Sequence, residues 1–376
     1  MKITRIIHPV GQGGFYSETL NDGSNEIHVI YDCGGNSSSL MQNYMDDYFP
    51  GNKKQEIDAV FISHLHNDHI NGLEYLLRNY RVKYLFLPQL TQSEILEVLL
   101  YNSINTGSGE NPNMFVLDLY NSDNGYFYET RIIRVAPDDG EHGHNEDNNR
   151  DYDFIEDREL LKNITKITSG TRLRYRKEWL FIPYNPPVLS KNINVSFYEF
   201  FIDELGLDWF ELKDLAFIVH KIGIDKCKEV YENYFGKNHN SYSMTLFSGI
   251  DKSHPFFDDR DDLFHDIMKC FSRYYFSPNC LYTGDFDTKN QFINMRSFYA
   301  PFWETIRSIQ VPHHGSRNNH DERLYEFADR CFISVGEKNN HRHPNIDTLI
   351  GISKKGCDPV IVTERLSSLK MYHFSI

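Results

Sequence analysis

Residues 63–72 of the chain read SHLHNDHING, and no other segment constrains the fold as strongly. His64, His66, Asp68 and His69 lie between an apolar strand-like run, DAVFIS, and a run with helical spacing at Leu73, Leu76, Leu77 and Tyr80. In an extended turn, residues two apart project to the same side. His64 and His66 can therefore grip one cation, while Asp68 and His69 face a second. Two cations about 3.5–4 Å apart can share a hydroxide and clamp a phosphate or carbonyl. Imidazole with carboxylate suits Zn²⁺ first, with Mn²⁺ or Fe as alternatives. The competing reading is a polar strand end with surface histidines.

A two-cation site needs more donors than one turn supplies. Downstream, LYTGD places Asp285 after an apolar run and a glycine, and QVPHHGS places His313 and His314 after another. Taken alone, Asp285 is an ordinary turn former and the paired histidines are surface residues. Beside the first cluster they are candidate ligands.

The rest of the chain fits this picture. KITRIIHPV, EIHVIYDCG, EIDAVFISH and VKYLFLPQ read as strands, and SLMQNYMDDYF and NGLEYLLRNY read as helices. TQSEILEVLL opens a helix with a capping-box pattern at Thr91 and Glu94. Toward the end, SMTLFSGI, CLYTGD, IRSIQVPHH, CFISVGE and DPVIVTE are apolar runs, separated by helix-like DERLYEFADR and NIDTLIGISKKG. Alternating strands and helices imply a layered α/β protein. Residues 138–239 differ. They hold an acidic stretch (138–159), a basic strand-like piece (TRLRYRKEWLFIPY) and then helix-like runs, and are expected as an elaboration within a single domain spanning 1–376.

The net charge of −14 argues against a generally basic nucleic-acid surface, though not against a local groove. Arg172, Arg174 and Arg176 alternate and are expected to share one face, either touching phosphates or blocking edge pairing. The six cysteines are scattered, so reduced thiols and a cytoplasmic location are expected. No apolar run is long enough to span a membrane. Protein partners are not legible.

SHLHNDH resembles the signature of the metallo-β-lactamase fold, an αββα sandwich with metals at its edge. More specifically, VGQGG with IYDCGG (10–14, 30–35), SHLHNDHING, NHNSYSMTLFSG (238–249), LYTGDF (281–286) and VPHHGS (311–316) resemble, in order, the hydrolase domain of ComEC-type DNA-uptake proteins. The soluble relatives of that domain include a phosphorylcholine esterase. SVGEKNNHRHPN (334–345) resembles that group's closing stretch.

The resemblance implies two divalent metals held by His64, His66, Asp68, His69, Asp285 and His314, with Asp285 bridging. It makes Asp68, His313 and His314 catalytic, puts Asn240, Ser243 and His343 at the active-site mouth, and makes Asp32 a brace beneath the metal loop. Which of His313 and His314 binds metal stays open. Two departures stand out. Gly14 replaces an acidic residue, and no motif places a third histidine on the first metal, for which His142, His144 and His220 are candidates. Phosphodiester hydrolysis, including that of nucleic acid, is the first reading. A small phosphoester, lactone or thioester is the second, and a degenerate binding module the third.

Overall fold

The computed structural model describes residues 1–47, 56–105, 112–121, 126–138, 140, 151–187, 223–235, 242–251, 277–340 and 342–376. The first sheet contains β1 (Lys2–Ile7), β2 (Phe15–Asn21), β3 (Glu26–Cys33), β4 (Glu56–Phe61), β5 (Arg81–Pro88), β6 (Tyr126–Phe127), β7 (Thr130–Ala136), β9 (Lys166–Thr168) and β17 (Lys370–Ser375). Its order is β17-β1-β2-β3-β4-β5-β7-β6, with β9 paired to β7. The second sheet contains β8 (Asp151–Asp153), β10 (Arg172–Tyr175), β11 (Trp179–Tyr184), β12 (Thr245–Ile250), β13 (Cys280–Tyr282), β14 (Ser308–Gln310), β15 (Arg330–Ser334) and β16 (Asp358–Val362). Its order is β16-β15-β14-β13-β12-β11-β10-β8.

The strand pattern explains the layers. Buried on both faces, β5 sends Leu85 and Leu87 toward helices and Tyr84 and Phe86 toward the opposite sheet. The first apolar cluster packs α1 (Ser38–Asp47), α2 (Leu73–Asn79), α3 (Gln92–Asn105), α4 (Pro112–Tyr120) and α5 (Ile224–Phe235) on the first sheet. A second, aromatic-rich cluster lies between the sheets and includes Tyr31, Phe61 and Phe86 from one and Trp179, Phe181 and Tyr282 from the other. A third seats α6 (Thr288–Phe298) and α7 (Ile346–Lys354) on the outer face of the second sheet. Helix, sheet, sheet, helix is the αββα metallo-β-lactamase sandwich expected from the sequence.

One polar network crosses the middle core. Glu18 on β2 accepts from Arg5 Nε (2.7 Å), from the Tyr282 hydroxyl on β13 (2.8 Å) and from Ser248 Oγ on β12 (2.5 Å). Trp179 Nε1 donates to the same serine oxygen at 3.0 Å. A buried network of this kind fixes how two sheets register, because any slip strands a charge in the core.

Several local expectations need revision. TRLRYRKEWLFIPY is not one strand but a hairpin, β10 and β11, belonging to the second sheet. The chain turns at Arg176, with φ +57°, so Arg176 does not share the half-exposed face of Arg172 and Arg174. Arg174 pairs with Asp151 and Asp251, each at 2.7 Å, and Arg176 pairs with Asp22 at 2.8 Å. These carboxylates occupy two of the three cations named for phosphate contact. DERLYEFADR forms a single 3₁₀ turn (Glu322–Tyr325) before β15, rather than a helix. The capping box forms as expected: Glu94 Oε2 accepts from the Thr91 N–H at 2.6 Å. Within 138–239, residues 151–187 supply strands to both sheets, and 188–222 lie outside the described residues. Among the described residues, no helix is long and apolar enough to cross a membrane.

Candidate metal centre

The first half of the site grows from the ends of β3 and β4, parallel neighbours near the middle of the first sheet. Asp32 closes β3 in a left-handed conformation, φ +56°, and is fully buried. Its Oδ1 accepts the Ser63 N–H at 2.7 Å, and its Oδ2 accepts Ser63 Oγ–H and His69 Nδ1–H, both at 2.8 Å. Since Ser63 Oγ spends its proton on Asp32, it must accept from His64 Nδ1, 2.9 Å away. One carboxylate thus puts a proton on Nδ1 of both rings, directly on His69 and through Ser63 on His64, and turns both Nε2 atoms into the site. Asp32 thus lies beneath the 64–69 turn, and Ser63 links it to His64.

The glycines around it are close-approach positions. A Cβ on Gly34 would lie 2.2 Å from the Asp68 carbonyl oxygen, and one on Gly14 would lie 2.9 Å from Asp32 Oδ2. The acidic residue that Gly14 replaces would therefore bring a second carboxylate against Asp32, so its absence suits this packing.

The second half comes from the other sheet. Gln310, at the end of β14, accepts from the Thr283 and Gly284 N–H groups at 2.7 and 2.6 Å, locking the loop that carries Asp285. Ser243 Oγ accepts the Asp285 N–H at 3.0 Å. Ser243 was expected at the mouth. It is instead fully buried beneath it, because its hydroxyl is spent on the Asp285 backbone. His313 and His314 both adopt left-handed backbone, φ +49° and +53°, which turns their rings apart. His314 Nδ1 lies 3.0 Å from the Ser334 carbonyl. A carbonyl only accepts, so Nδ1 carries the proton and Nε2 points into the site, 3.2 Å from Asp68 Oδ2.

These halves meet as two donor groups, His64–His66–Asp285 and Asp68–His69–His314, each with its donor atoms within 4.8 Å of one another. Asp285 stands between them. Its Oδ2 is 3.7 Å from His64 Nε2, and its Oδ1 is 3.2 Å from His69 Nε2 and 3.8 Å from His314 Nε2. His64 Nε2 is buried with no hydrogen-bond partner. A lone pair buried this way is costly unless a cation takes it, so the donor set fits a divalent metal. His314 joins the second group, whereas His313 stays at the cavity edge, 31% exposed.

The electrostatics set the two braced rings apart. Burial, helped by His69 and His66, pushes His64 well below the ordinary histidine range, keeping it neutral. Burial opposes charge on His69 too, but Asp285, Asp68 and Asp32 outweigh it and raise that ring. Burial likewise works against the Asp285 carboxylate, but His313, His69 and His314 hold it well below the usual range.

A cavity of about 270 Å³ opens above the donors. Its walls include Asp68, Asp285, His313, His314 and His343. Amides dominate the rest: Gln12, Asn36, Asn67, Asn71, Asn102 and Asn105, with no Lys or Arg among the described lining residues. α3 supplies one wall. Its Tyr101 stacks on His66, ring centroids 3.8 Å apart. Buried Asn102 clamps the metal loop, accepting from the Asn67 N–H at 3.0 Å and donating to the Leu65 carbonyl at 2.9 Å. An asparagine inside the apolar run EILEVLLYNSI was the available signal for it. Asn240, His142, His144 and His220 lie outside the described residues.

An αββα sandwich with paired His/Asp groups at its inner strand ends defines the metallo-β-lactamase class of fold. Residues 13–122 match the model of a family described as anti-Pycsar protein Apyc1. No curated protein matches the chain. Among solved structures, it is similar to a subclass B3 metallo-β-lactamase, MEM-A1, from a soil metagenome library. The identity is 10% and the TM-score 0.32, over 83% of this chain and 78% of the other. It is also similar to an isothiocyanate hydrolase from Delia radicum gut bacteria, with 10% identity and a TM-score of 0.33 over 100% of both chains.

Proposed function

We propose that the chain is a two-metal phosphodiesterase whose substrate is a small nucleotide, a cyclic mononucleotide first of all. The observation that carries this reading is the cavity. Two donor groups share Asp285 at its floor, its walls are amides, and its volume of about 270 Å³ suits a small ligand. The family matched over 13–122 supports the cyclic nucleotide, since anti-Pycsar proteins are associated with cyclic-nucleotide degradation. A polynucleotide asks for cations along its backbone. Here the described lining has none, and Arg174 and Arg176 are already paired with carboxylates.

When bound, two divalent cations, zinc before manganese or iron, would supply a water made nucleophilic near neutral pH and would offset charge on the phosphate. The His64–His66–Asp285 and Asp68–His69–His314 groups would hold them. The protein's own part is orientation. Asp32, Ser63 and the Ser334 carbonyl hold three imidazoles with Nε2 inward. His313, at the edge beside Asp285, can hand a proton to a departing oxygen. The amide walls can accept and donate to a base or sugar without adding charge.

The test is elemental analysis followed by initial rates on a panel. It holds 3′,5′-cyclic mononucleotides, bis-p-nitrophenyl phosphate, single- and double-stranded DNA and RNA, a lactone and a thioester. The expected result is two divalent ions per chain and turnover of a cyclic mononucleotide far ahead of any polymer. Protein with both metals bound that cleaves only polymers refutes the substrate. If it cleaves only the lactone or thioester, or nothing at all, the phosphodiesterase reading falls.

A further inference from the structure

We propose that Asn319 is a positioning residue that sets the proton-bearing nitrogen of His313; the inference rests on the phosphodiesterase reading. Asn319 is 3% exposed and is held at both ends of its residue. Its backbone carbonyl accepts the Thr288 hydroxyl, and its Nδ2 donates to the Asp285 carbonyl at 3.2 Å. Its Oδ1 faces His313 Nδ1 at 2.9 Å. The amide cannot be turned round. A flipped side chain would set Oδ1 against the Asp285 carbonyl, two acceptors face to face. Oδ1 can only accept, so His313 Nδ1 must carry a proton whatever the ring's charge.

Two consequences follow. An amide, unlike a carboxylate, neither takes that proton nor adds charge, so proton exchange is confined to His313 Nε2. That atom lies 3.7 Å from Asp285 Oδ2, on the wall of the cavity. In hydrolysis of a phosphodiester, the water oxygen bonds to phosphorus as the bond from phosphorus to the leaving oxygen breaks. The leaving oxygen takes the proton from His313 Nε2, and the proton lost by the water restores it. For a cyclic mononucleotide the ring opens, and one product carries both the freed hydroxyl and the phosphomonoester. Without Asn319 the ring can rotate or change tautomer, and Nε2 leaves the line of departure.

The test compares leaving groups. A ribose alkoxide needs a proton as it departs, whereas p-nitrophenolate is stable without one. Asn319→Ala should lower kcat on a 3′,5′-cyclic mononucleotide about 10–100-fold, the usual cost of losing an orienting partner. The ratio of this rate to that on bis-p-nitrophenyl phosphate should fall at least about tenfold, with KM and metal content held. Asn319→Asp keeps an acceptor against Nδ1–H but sets its second oxygen against the Asp285 carbonyl, so it should recover only part of the ratio. An equal fall on both substrates, loss of metal, or an Asn319→Asp ratio no higher than that of Asn319→Ala overturns the assignment. A wild-type protein that cleaves neither substrate removes the phosphodiesterase reading and the assignment together. An active wild type whose ratio survives Asn319→Ala removes the assignment alone.

Discussion

Replacing Asp32 by asparagine changes one atom and should disturb both donor groups. The backbone is not the problem, because asparagine tolerates the left-handed region about as well as aspartate. The hydrogen bonds are. Asp32 accepts three, from the Ser63 N–H, the Ser63 hydroxyl and His69 Nδ1, at 2.7–2.8 Å. An amide offers one acceptor oxygen, and its NH₂ must face at least one of these donors. With the oxygen kept on the Ser63 N–H, His69 relieves the clash by moving its proton to Nε2, where a cation needs the lone pair. Ser63 must also turn its hydroxyl, which frees His64 to do the same. Outer-shell losses typically cost about 10–100-fold in metal affinity, or about 1.4–2.7 kcal/mol per site. The assay is Zn²⁺ titration of metal-free protein against a chromophoric chelator, with thermal melting of the metal-free form as control. Weaker binding at both sites with a nearly unchanged melt is expected. Wild-type affinity at both sites would refute the tautomer argument.

Ser63→Ala removes the hydroxyl that joins Asp32 to His64 and keeps the Ser63 N–H and His69 on Asp32. It should weaken one of the two sites, by less than Asp32→Asn does, in the same titration. Asp285→Asn should abolish turnover and leave less than one metal per chain by elemental analysis, since its two oxygens face both groups. Asp287→Asn should keep both metals and most of the rate. Asp287 caps α6 through Asn290 (3.3 Å to its N–H), and asparagine caps nearly as well. Glu97 gives a pH test: burial first, then Glu94, pushes its carboxyl up to about 8 from 4.5. Between those values the unfolded chain is ionised while the folded one holds its proton. The contribution is therefore full below pH 4.5 and is lost as pH rises toward 8. The melting temperature of wild type should fall relative to Glu97→Gln between pH 5 and pH 8; a constant offset would contradict the assignment.

Much of this site was legible because its donors are chemically unusual and sit at strand ends marked by glycine. His64, His66, Asp68 and His69 share one turn, and Asp285 and His314 each follow a short apolar strand. Their supports were not legible. Ser63, Gln310 and Asn319 are ordinary loop or strand-end residues in one dimension, and their partners lie 31, 27 and 34 residues away for the bonds to Asp32, Thr283 and Asp285. Tyr101 reads as one more apolar position in a helix until His66 is packed on it. The arginine row failed for a related reason. Alternation predicts a shared face only within one strand, and the turn at Arg176 and the distant acids Asp22 and Asp251 are properties of the folded chain.

The sheets divide the donors unequally, and that division sets an order of assembly. His64, His66, Asp68 and His69 hang from the first sheet, while Asp285 and His314 hang from the second. Each donor group draws on both sheets, so neither is complete until the sheets dock. A half-formed molecule with only one sheet in place offers at most a weak, partial chelate. Tight cation capture is therefore a clock for the docking of the two sheets. In refolding from denaturant with a metallochromic dye present, the dye should surrender its zinc with the burial of Trp179 between the sheets, and not with the earlier rise of secondary structure.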